Sequence, residues 1–133
     1  MLIFVLLVTI FTANDLKEPC ASTLWIDQRF CLGYMKGFDQ GVGYAALTSP
    51  QVESAKALNR EVAFAIANAS YQRATGCSSQ GVTIEQMRLI FLKYINNHPE
   101  ELHLSASLIL SRSLIAAFPC PLNNGDSVDK GKD

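Results

Sequence analysis

Charged residues are scarce in this 133-residue chain, and neither sign dominates. Asp, Glu, Lys and Arg make up 17% of the sequence, and the formal net charge is -1. Nucleic-acid-binding domains usually carry a basic patch that contacts phosphates. Since this chain has no such excess, we do not expect it to bind nucleic acid.

The motifs of common catalytic, metal and cofactor sites are also missing. There is no glycine-rich phosphate loop and no Gly-x-Ser-x-Gly elbow. His98 and His103 lie five positions apart across Pro99, so they cannot share a helical face as a His-x-x-x-His pair does. Glu100 and Glu101 are adjacent, and adjacent side chains point apart. We predict structural or capping roles for the histidines, no metal, no cofactor and no enzymatic activity.

No apolar run reaches the about 20 residues of a typical membrane span. The run at residues 2–13, LIFVLLVTIFTA, instead matches the core of a signal peptide. We predict that residues 1–13 are a signal peptide, that the protein is exported to the periplasm and that the mature form has no membrane span. No Lys or Arg precedes the run, and a start codon further upstream would explain this. The alternative is a buried N-terminal element of a cytosolic protein.

The four cysteines lack the close spacing of a metal site. Cys20, Cys31, Cys77 and Cys120 are separated by 11, 46 and 43 positions. An even number of cysteines in a small exported chain favours two disulfides formed in an oxidising compartment. Three pairings are possible, and the sequence alone does not select among them. The preferred one joins Cys20 to Cys31 and Cys77 to Cys120.

Apolar residues recur at helical spacing, which predicts an all-α fold: a small single-domain bundle of about four helices with two disulfides. The helices are expected near residues 24–46, 50–72, 83–97 and 105–118. A break near Asn59 is the alternative for the second helix. The helical domain is expected over residues 20–120, followed by a disordered tail at 121–133.

Each predicted helix has an apolar face that we expect to be buried. In the first, the stripe comprises Leu24, Cys31, Met35, Phe38, Val42 and Ala45. In the second, it comprises Val52, Ala55, Leu58, Val62, Ala65, Ile66 and Ala69. Thr83 and Gln86 form a capping box at the start of the third helix, and Pro99 ends that helix at His98. The last helix is apolar nearly all round, which indicates a central position in the core.

Two features of the predicted helices suggest contacts with other elements or other chains. Gly33, Gly37 and Gly41 lie four positions apart. Because each glycine destabilises a helix relative to alanine, three at this spacing suggest close approach by another helix of the chain. The alternative is contact with a second copy or another partner.

The third predicted helix carries a candidate interface. Leu89 projects among polar residues, and Leu92 lies nearby with Arg88 between them. The alternative is that these leucines pack under the first helix or the tail.

Two loops are candidates for an inhibitory or binding element. The first, at 75–81, is held at a cysteine, and its candidate contact residues are Ser78, Ser79 and Gln80. The second, at 96–104, contains a proline. Protruding loops held in this way are suited to filling a cleft on a partner.

An ordered set of motifs resembles the Rap1a/Tai immunity-protein family over roughly residues 20–120. The matching positions are Cys31, Gly33, Tyr34 and Gly37; Cys77; Gly81, Val82, Thr83 and Gln86; Tyr94, His98, Pro99 and Glu100; Ala106; and Phe118, Pro119 and Cys120. The combination of these motifs with four cysteines is more specific than any one of them.

This resemblance implies a function that the residues alone do not reveal. It implies a periplasmic immunity protein of type VI secretion systems that binds a peptidoglycan amidase effector and occludes its active site, often as a homodimer. The alternatives are a small periplasmic helical chaperone that responds to acid, and an adaptor of an envelope complex. Chaperones of that kind titrate many acids, and this chain has only 12 Asp and Glu.

Overall fold

The computed structural model describes residues 10–78 and 81–121, which contain six α-helices and one short 3₁₀ helix. The predicted all-α class with two disulfides is confirmed, but the predicted count of about four helices is wrong. In chain order, the α-helices are α1 Ala13–Ala21, α2 Trp25–Leu47, α3 Pro50–Lys56, α4 Arg60–Thr75, α5 Ile84–Asn97 and α6 Ala106–Ala117. The 3₁₀ helix, Pro99–Glu101, lies between α5 and α6. None of the described helices has the length and apolar character needed to cross a membrane.

Helix α1 was not predicted from the sequence. Four of its nine residues are polar or charged, and Pro19 lies inside the helix, where it cannot donate a backbone hydrogen bond. Thr12 starts the helix with a capping box that involves Asp15, and Leu16 and Cys20 turn one buried face towards the core. The expected domain boundary at residue 20 therefore falls inside this helix.

The second predicted helix is divided in two, as the alternative of a break near Asn59 anticipated. The Asn59 side chain accepts a hydrogen bond of 2.8 Å from the Glu61 N–H and caps α4. The break changes the helical register, so most of the apolar face predicted for one continuous helix is wrong from Leu58 onwards. Leu58 is 90% exposed, Val62 is 50% exposed, and Ala65 and Ala69 are exposed as well. Ile66 is partly buried, as predicted, and Ala63 and Ala67 are buried instead of the others.

The third and fourth predicted helices are confirmed as α5 and α6. The capping box of Thr83 and Gln86 is formed, and α5 ends at Asn97 with His98 as its C-cap residue. Helix α6 contributes five buried residues, although its position is less central than predicted. Leu108 and Ile115 on its outer face are exposed because no described element covers that side.

One main core holds α1, α5, α6 and the first half of α2 together. We define the main core as the fully or almost fully buried residues Ala13, Leu16, Cys20, Cys31, Met35, Met87, Phe91, Ile95, Ala106, Ile109, Leu110 and Leu114. A second, smaller cluster consists of Val52, Ala55, Ala63 and Ala67, with Ile66 packed against it. This α3–α4 cluster contains only one large side chain that is fully buried.

Helix α2 follows its predicted boundaries closely, but its buried stripe is shorter than predicted. Cys31 and Met35 are buried, whereas Leu24, at the N-cap, is exposed because no described element packs there. At the other end, Ala46 is buried instead of Ala45.

The predicted close approach of another helix to the glycines of α2 is also wrong. A Cβ atom added at Gly33, Gly37 or Gly41 would have no described atom within 4 Å, apart from its own helix backbone and chain neighbours. The alternative, a contact with a second copy or another partner, remains. Most of the predicted signal peptide, residues 1–9, and the predicted tail from residue 122 onwards lie outside the described residues.

Candidate partner-binding surfaces

The two disulfides form the preferred pairs, and they differ in exposure. Cys20 and Cys31 join α1 to α2 with a Cα–Cα distance of 5.0 Å, and both are fully buried. Cys77 and Cys120 join the segment after α4 to the segment after α6, with a Cα–Cα distance of 4.7 Å. Cys120 is exposed. The first disulfide is therefore part of the main core, and the second is a surface clamp.

The segment between α4 and α5, residues 76–83, is anchored at both ends. Gly76 has φ +77°, and a Cβ atom there would lie 2.5 Å from the carbonyl oxygen of Phe118, so only glycine fits. The next N–H, that of Cys77, donates to the same carbonyl oxygen at 2.8 Å. At the other end, the Thr83 capping box fixes the start of α5. We call this segment the clamped loop.

The clamped loop contains three of the residues predicted to contact a partner. Ser78 is partly buried, and it lines a cavity beside the loop. Ser79 and Gln80 lie outside the described residues. The other candidate loop, at 96–104, contains the 3₁₀ helix and is held against the start of α1 by backbone hydrogen bonds from Ala13 and Asn14.

The cavity beside the clamped loop has a volume of about 190 Å³ and was not predicted from the sequence. Its lining includes Asp39, Asn68, Tyr71, Gln72, Ser78 and Val82. The Tyr71 hydroxyl donates a hydrogen bond to the Asp39 carboxylate and so joins α4 to α2. Burial, followed by this hydrogen bond and the negative charge of Asp39, raises the pKa of Tyr71 to about 12. Tyr71 therefore remains a neutral hydrogen-bond donor at physiological pH.

The three residues of the predicted α5 interface have different environments. Arg88 donates to both oxygens of Glu85 and, at 2.8 Å, to the carbonyl oxygen of Cys20, which ties α5 to the end of α1. Leu92 is partly buried and packs against the main core. Leu89 is 53% exposed. Of the two apolar side chains, Leu89 is thus the one with most of its surface available to a partner.

The face of α2 that points away from the main core is apolar along most of the helix. Ile26, Phe30 and Tyr44 are exposed large side chains on this face, and the open glycines lie between them. At 100° per residue, Ile26, Gly33, Gly37 and Tyr44 fall within a narrow sector of the helix surface. We call this surface the α2 glycine face. The sequence contained its signal, the glycine spacing, but could not show which side of α2 would be covered.

A second apolar surface lies where the end of α2 meets α3 and α4, and it was not predicted from the sequence. It is a groove of about 490 Å³ lined by Leu47, Val52, Lys56, Arg60, Ala63, Phe64 and Ala67. Phe64 is 72% exposed at its edge. The groove exists because alanines fill the space between α3 and α4 incompletely.

His98, Glu100 and Glu101 form the cluster that most resembles a metal site among the described residues. One ligand atom from each lies within 4.8 Å of the others. Glu101 already accepts hydrogen bonds from the Tyr94 hydroxyl at 2.9 Å and from Arg112 at 3.2 Å. The His98 ring stacks on Tyr94 with ring centroids 4.3 Å apart. These contacts join the 3₁₀ helix to α5 and α6, so the cluster has a structural role.

The pKa values of Glu100 and of Tyr94, which lies beside this cluster, are both shifted. Hydrogen bonds from its own backbone N–H and from His98 lower the pKa of Glu100. Burial and the hydrogen bond to Glu101 raise the pKa of Tyr94. Glu100 therefore remains ionised and Tyr94 remains protonated around neutral pH.

Comparison with known proteins identifies the family. The family model of the Rap1a immunity proteins matches residues 12–120, a range that includes both disulfides and all six described α-helices. No curated protein and no solved structure matches the chain. Because the family match covers most of the sequence, the chain belongs to the Rap1a immunity protein family.

Proposed function

We propose that this protein is a periplasmic immunity protein that binds a peptidoglycan amidase delivered by a type VI secretion system and occludes its active-site cleft. The observation that carries this proposal is the family match over residues 12–120. Rap1a proteins are immunity proteins of type VI secretion, and an immunity protein acts by binding an effector. Such a function requires a rigid surface and no catalytic group of its own.

The disulfides support location in the periplasm. Both cysteine pairs are formed, and bonds of this kind persist in oxidising compartments. Thiol titration of denatured protein from the periplasm should therefore find no free thiols. Two or more free thiols per chain would contradict periplasmic oxidation.

The clamped loop is the proposed inhibitory element, with Ser78, Ser79 and Gln80 as the contact residues. Its ends are fixed by the Cys77–Cys120 disulfide and by the Thr83 capping box. Fixed ends reduce the entropy that a connecting segment can lose on binding, so this anchoring favours affinity. Leu89 is the proposed apolar contact on α5, with Arg88 and Leu92 as the supporting residues behind it.

The α2 glycine face is the proposed contact with a second copy of the chain. Glycines let helix backbones approach closely, and Gly37 lies near the middle of α2 with Phe30 on one side and Tyr44 on the other. In an antiparallel pair of α2 helices related by a two-fold axis, the large side chains at one end would meet those at the other end of the partner. A homodimer would cover the apolar side chains that the single chain exposes.

The direct test uses the product of the neighbouring gene, which we expect to be a peptidoglycan amidase. It is expressed in the periplasm of a host alone, with this protein, and with this protein lacking its leader. We expect lysis in the first and third cultures and growth in the second. In vitro, the purified protein should abolish peptidoglycan cleavage at about one chain per amidase. Lysis that continues despite periplasmic protein would contradict the proposed function.

Two substitutions separate the effector contact from the dimer contact. Leu89→Asp should leave the fold and the dimer intact and weaken amidase binding. Gly37→Leu should fold, because no described atom outside its own helix and chain neighbours lies within 4 Å of a Cβ there, but it should prevent close pairing of two α2 helices. Amidase binding is measured by calorimetry and self-association by analytical ultracentrifugation. If Leu89→Asp changes neither measurement, or unfolds the protein, Leu89 is not an interface residue.

A further inference from the structure

The predicted signal peptide ends at Ala13, yet the structure places residues 11–13 inside the folded domain. Ala13 is the first residue of α1, and it is fully buried in the main core. Its N–H donates to the carbonyl oxygen of Leu104 at 2.8 Å. A residue in this position contributes both packing and a backbone hydrogen bond to the folded state.

The two preceding residues pair with the segment that leads into α6. Thr12 and Ser105 form an antiparallel bridge, and the carbonyl oxygen of Phe11 accepts a hydrogen bond of 2.9 Å from the Ala106 N–H. Ala106 is the first residue of α6, whose initial N–H groups have no partner within the helix. Phe11 therefore provides a cap for α6 from a distant part of the chain.

The side chains of residues 11 and 12 also take part in the fold. The Phe11 ring lies against Tyr34 and Phe30, with centroid distances of 5.4 Å and 6.0 Å. Thr12 forms the capping box of α1: its backbone N–H donates to Asp15 at 2.8 Å, and its hydroxyl accepts from the Asp15 N–H at 3.3 Å. These contacts join the start of α1 to α2 and fix the helix that carries Cys20.

We infer that Phe11, Thr12 and Ala13 remain in the mature protein, and that any removal of the leader occurs on the N-terminal side of Phe11. The inference rests on the proposed function only in that export would involve a cleavage step. Cleavage is hydrolysis of one peptide bond by water, which leaves a new ammonium group at the N-terminus. After Ala13, that positive charge would lie at Asn14, in the first turn of α1, where the helix dipole disfavours it. The family match, which begins at residue 12, agrees with a domain that includes Thr12.

The first test determines the N-terminus of the natural product. The full chain is expressed with its own leader, recovered from the envelope fraction, and analysed by intact mass and N-terminal sequencing. A first residue at Phe11 or earlier, including an uncleaved leader, supports the inference. A first residue at Thr12 or later overturns it. Uncleaved protein confined to the cytosol would still retain residues 11–13, and it would count against the proposed export alone.

The second test does not depend on export. Chains that begin at Ile10 and at Asn14 are refolded from denaturant under oxidising conditions and unfolded with urea. We expect the Ile10 chain to unfold cooperatively and the Asn14 chain to have a lower midpoint or no cooperative transition. Thr12→Ala in the Ile10 chain removes only the cap, so it should lower the midpoint by less, and Thr12→Ser should restore it. Equal midpoints for the Ile10 and Asn14 chains would overturn the inference.

Discussion

The main core and the α3–α4 cluster are both built from amphipathic helices, yet they bury very different amounts of apolar surface. The main core contains Phe91, Met35 and Leu110, all with essentially no exposed surface. The α3–α4 cluster contains Val52 and three alanines, and Phe64 and Leu58 nearby remain exposed. Burial of apolar surface contributes roughly 25 cal/mol per Å², so the main core provides most of the stability.

This difference shows that periodicity and burial are separate properties. Small residues can recur at helical spacing just as large residues do, but in the α3–α4 cluster they bury less apolar surface and leave space between the helices. In this protein the space is the groove beside Phe64. The four predictions that follow test the contrast between the two regions, from the largest expected effect to the smallest.

Leu110→Ala tests the main core. Leu110 is fully buried on α6, so removal of its side chain should lower the free energy of unfolding by about 2–5 kcal/mol. Leu108→Ala is the matched control on the same helix, because Leu108 is 42% exposed and should cost far less. Urea unfolding measures both. A loss below about 1 kcal/mol for Leu110→Ala would mean that α6 is peripheral to the stability of the fold.

Gly76→Ala tests the clamped loop that joins the α3–α4 region to the main core. The backbone of Gly76, with φ +77° and ψ 178°, is almost restricted to glycine, and the new Cβ would meet two backbone carbonyl oxygens. We expect a loss of about 1–3 kcal/mol in the free energy of unfolding. Gly81→Ala is the control, since no described atom beyond its chain neighbours lies within 4 Å of a Cβ there. Similar losses for both variants would contradict the steric explanation.

Val52→Ala tests the α3–α4 cluster. Val52 is almost fully buried, and the loss of two methyl groups should cost about 1–2 kcal/mol at roughly 0.8 kcal/mol per buried group. Amide hydrogen exchange should accelerate in α3 and early α4 more than in α5, because this small cluster can open locally. Uniform acceleration across all helices would show instead that the two regions unfold as one unit.

Tyr71→Phe tests the hydrogen bond between α4 and α2 through its pH dependence. The pKa of Tyr71 is raised to about 12 in the folded state, above its usual 10, so its stabilising effect is complete below pH 10. From pH 10 to 12 the unfolded chain ionises while the folded chain keeps its proton, and stability falls. The variant should be less stable at pH 8 and lose stability less steeply above pH 10. The pKa values of Tyr34 and Tyr94 are also raised, but both residues are present in the two chains, so their effect on the pH profile is the same in each. Parallel pH profiles would contradict this role.

Local signals allowed the sequence to predict much of the fold. The capping box of Thr83 and Gln86 acts over three residues, and Pro99 restricts the residue directly before it. The bounds of α2, α5 and α6 and the all-α class were therefore predictable. The preferred disulfide pairs were also correct, although the sequence left three pairings open. Of the predicted contact residues, Leu89 is exposed, while Arg88 is engaged with Cys20.

What the tertiary structure decided was which surfaces of the helices are covered. Three open glycines on α2 have the same sequence spacing whether a helix lies against them or not. Only the positions of α1, α4 and α5, which pack against α2, show that no helix among the described residues covers the glycines. The short polar segment before Cys20 becomes a helix because the main core receives Leu16 and Ala13. Sequence thus determined where α2, α5 and α6 form, since hydrogen bonding and capping are local. Tertiary structure determined what each one buries, since burial depends on residues distant in the chain.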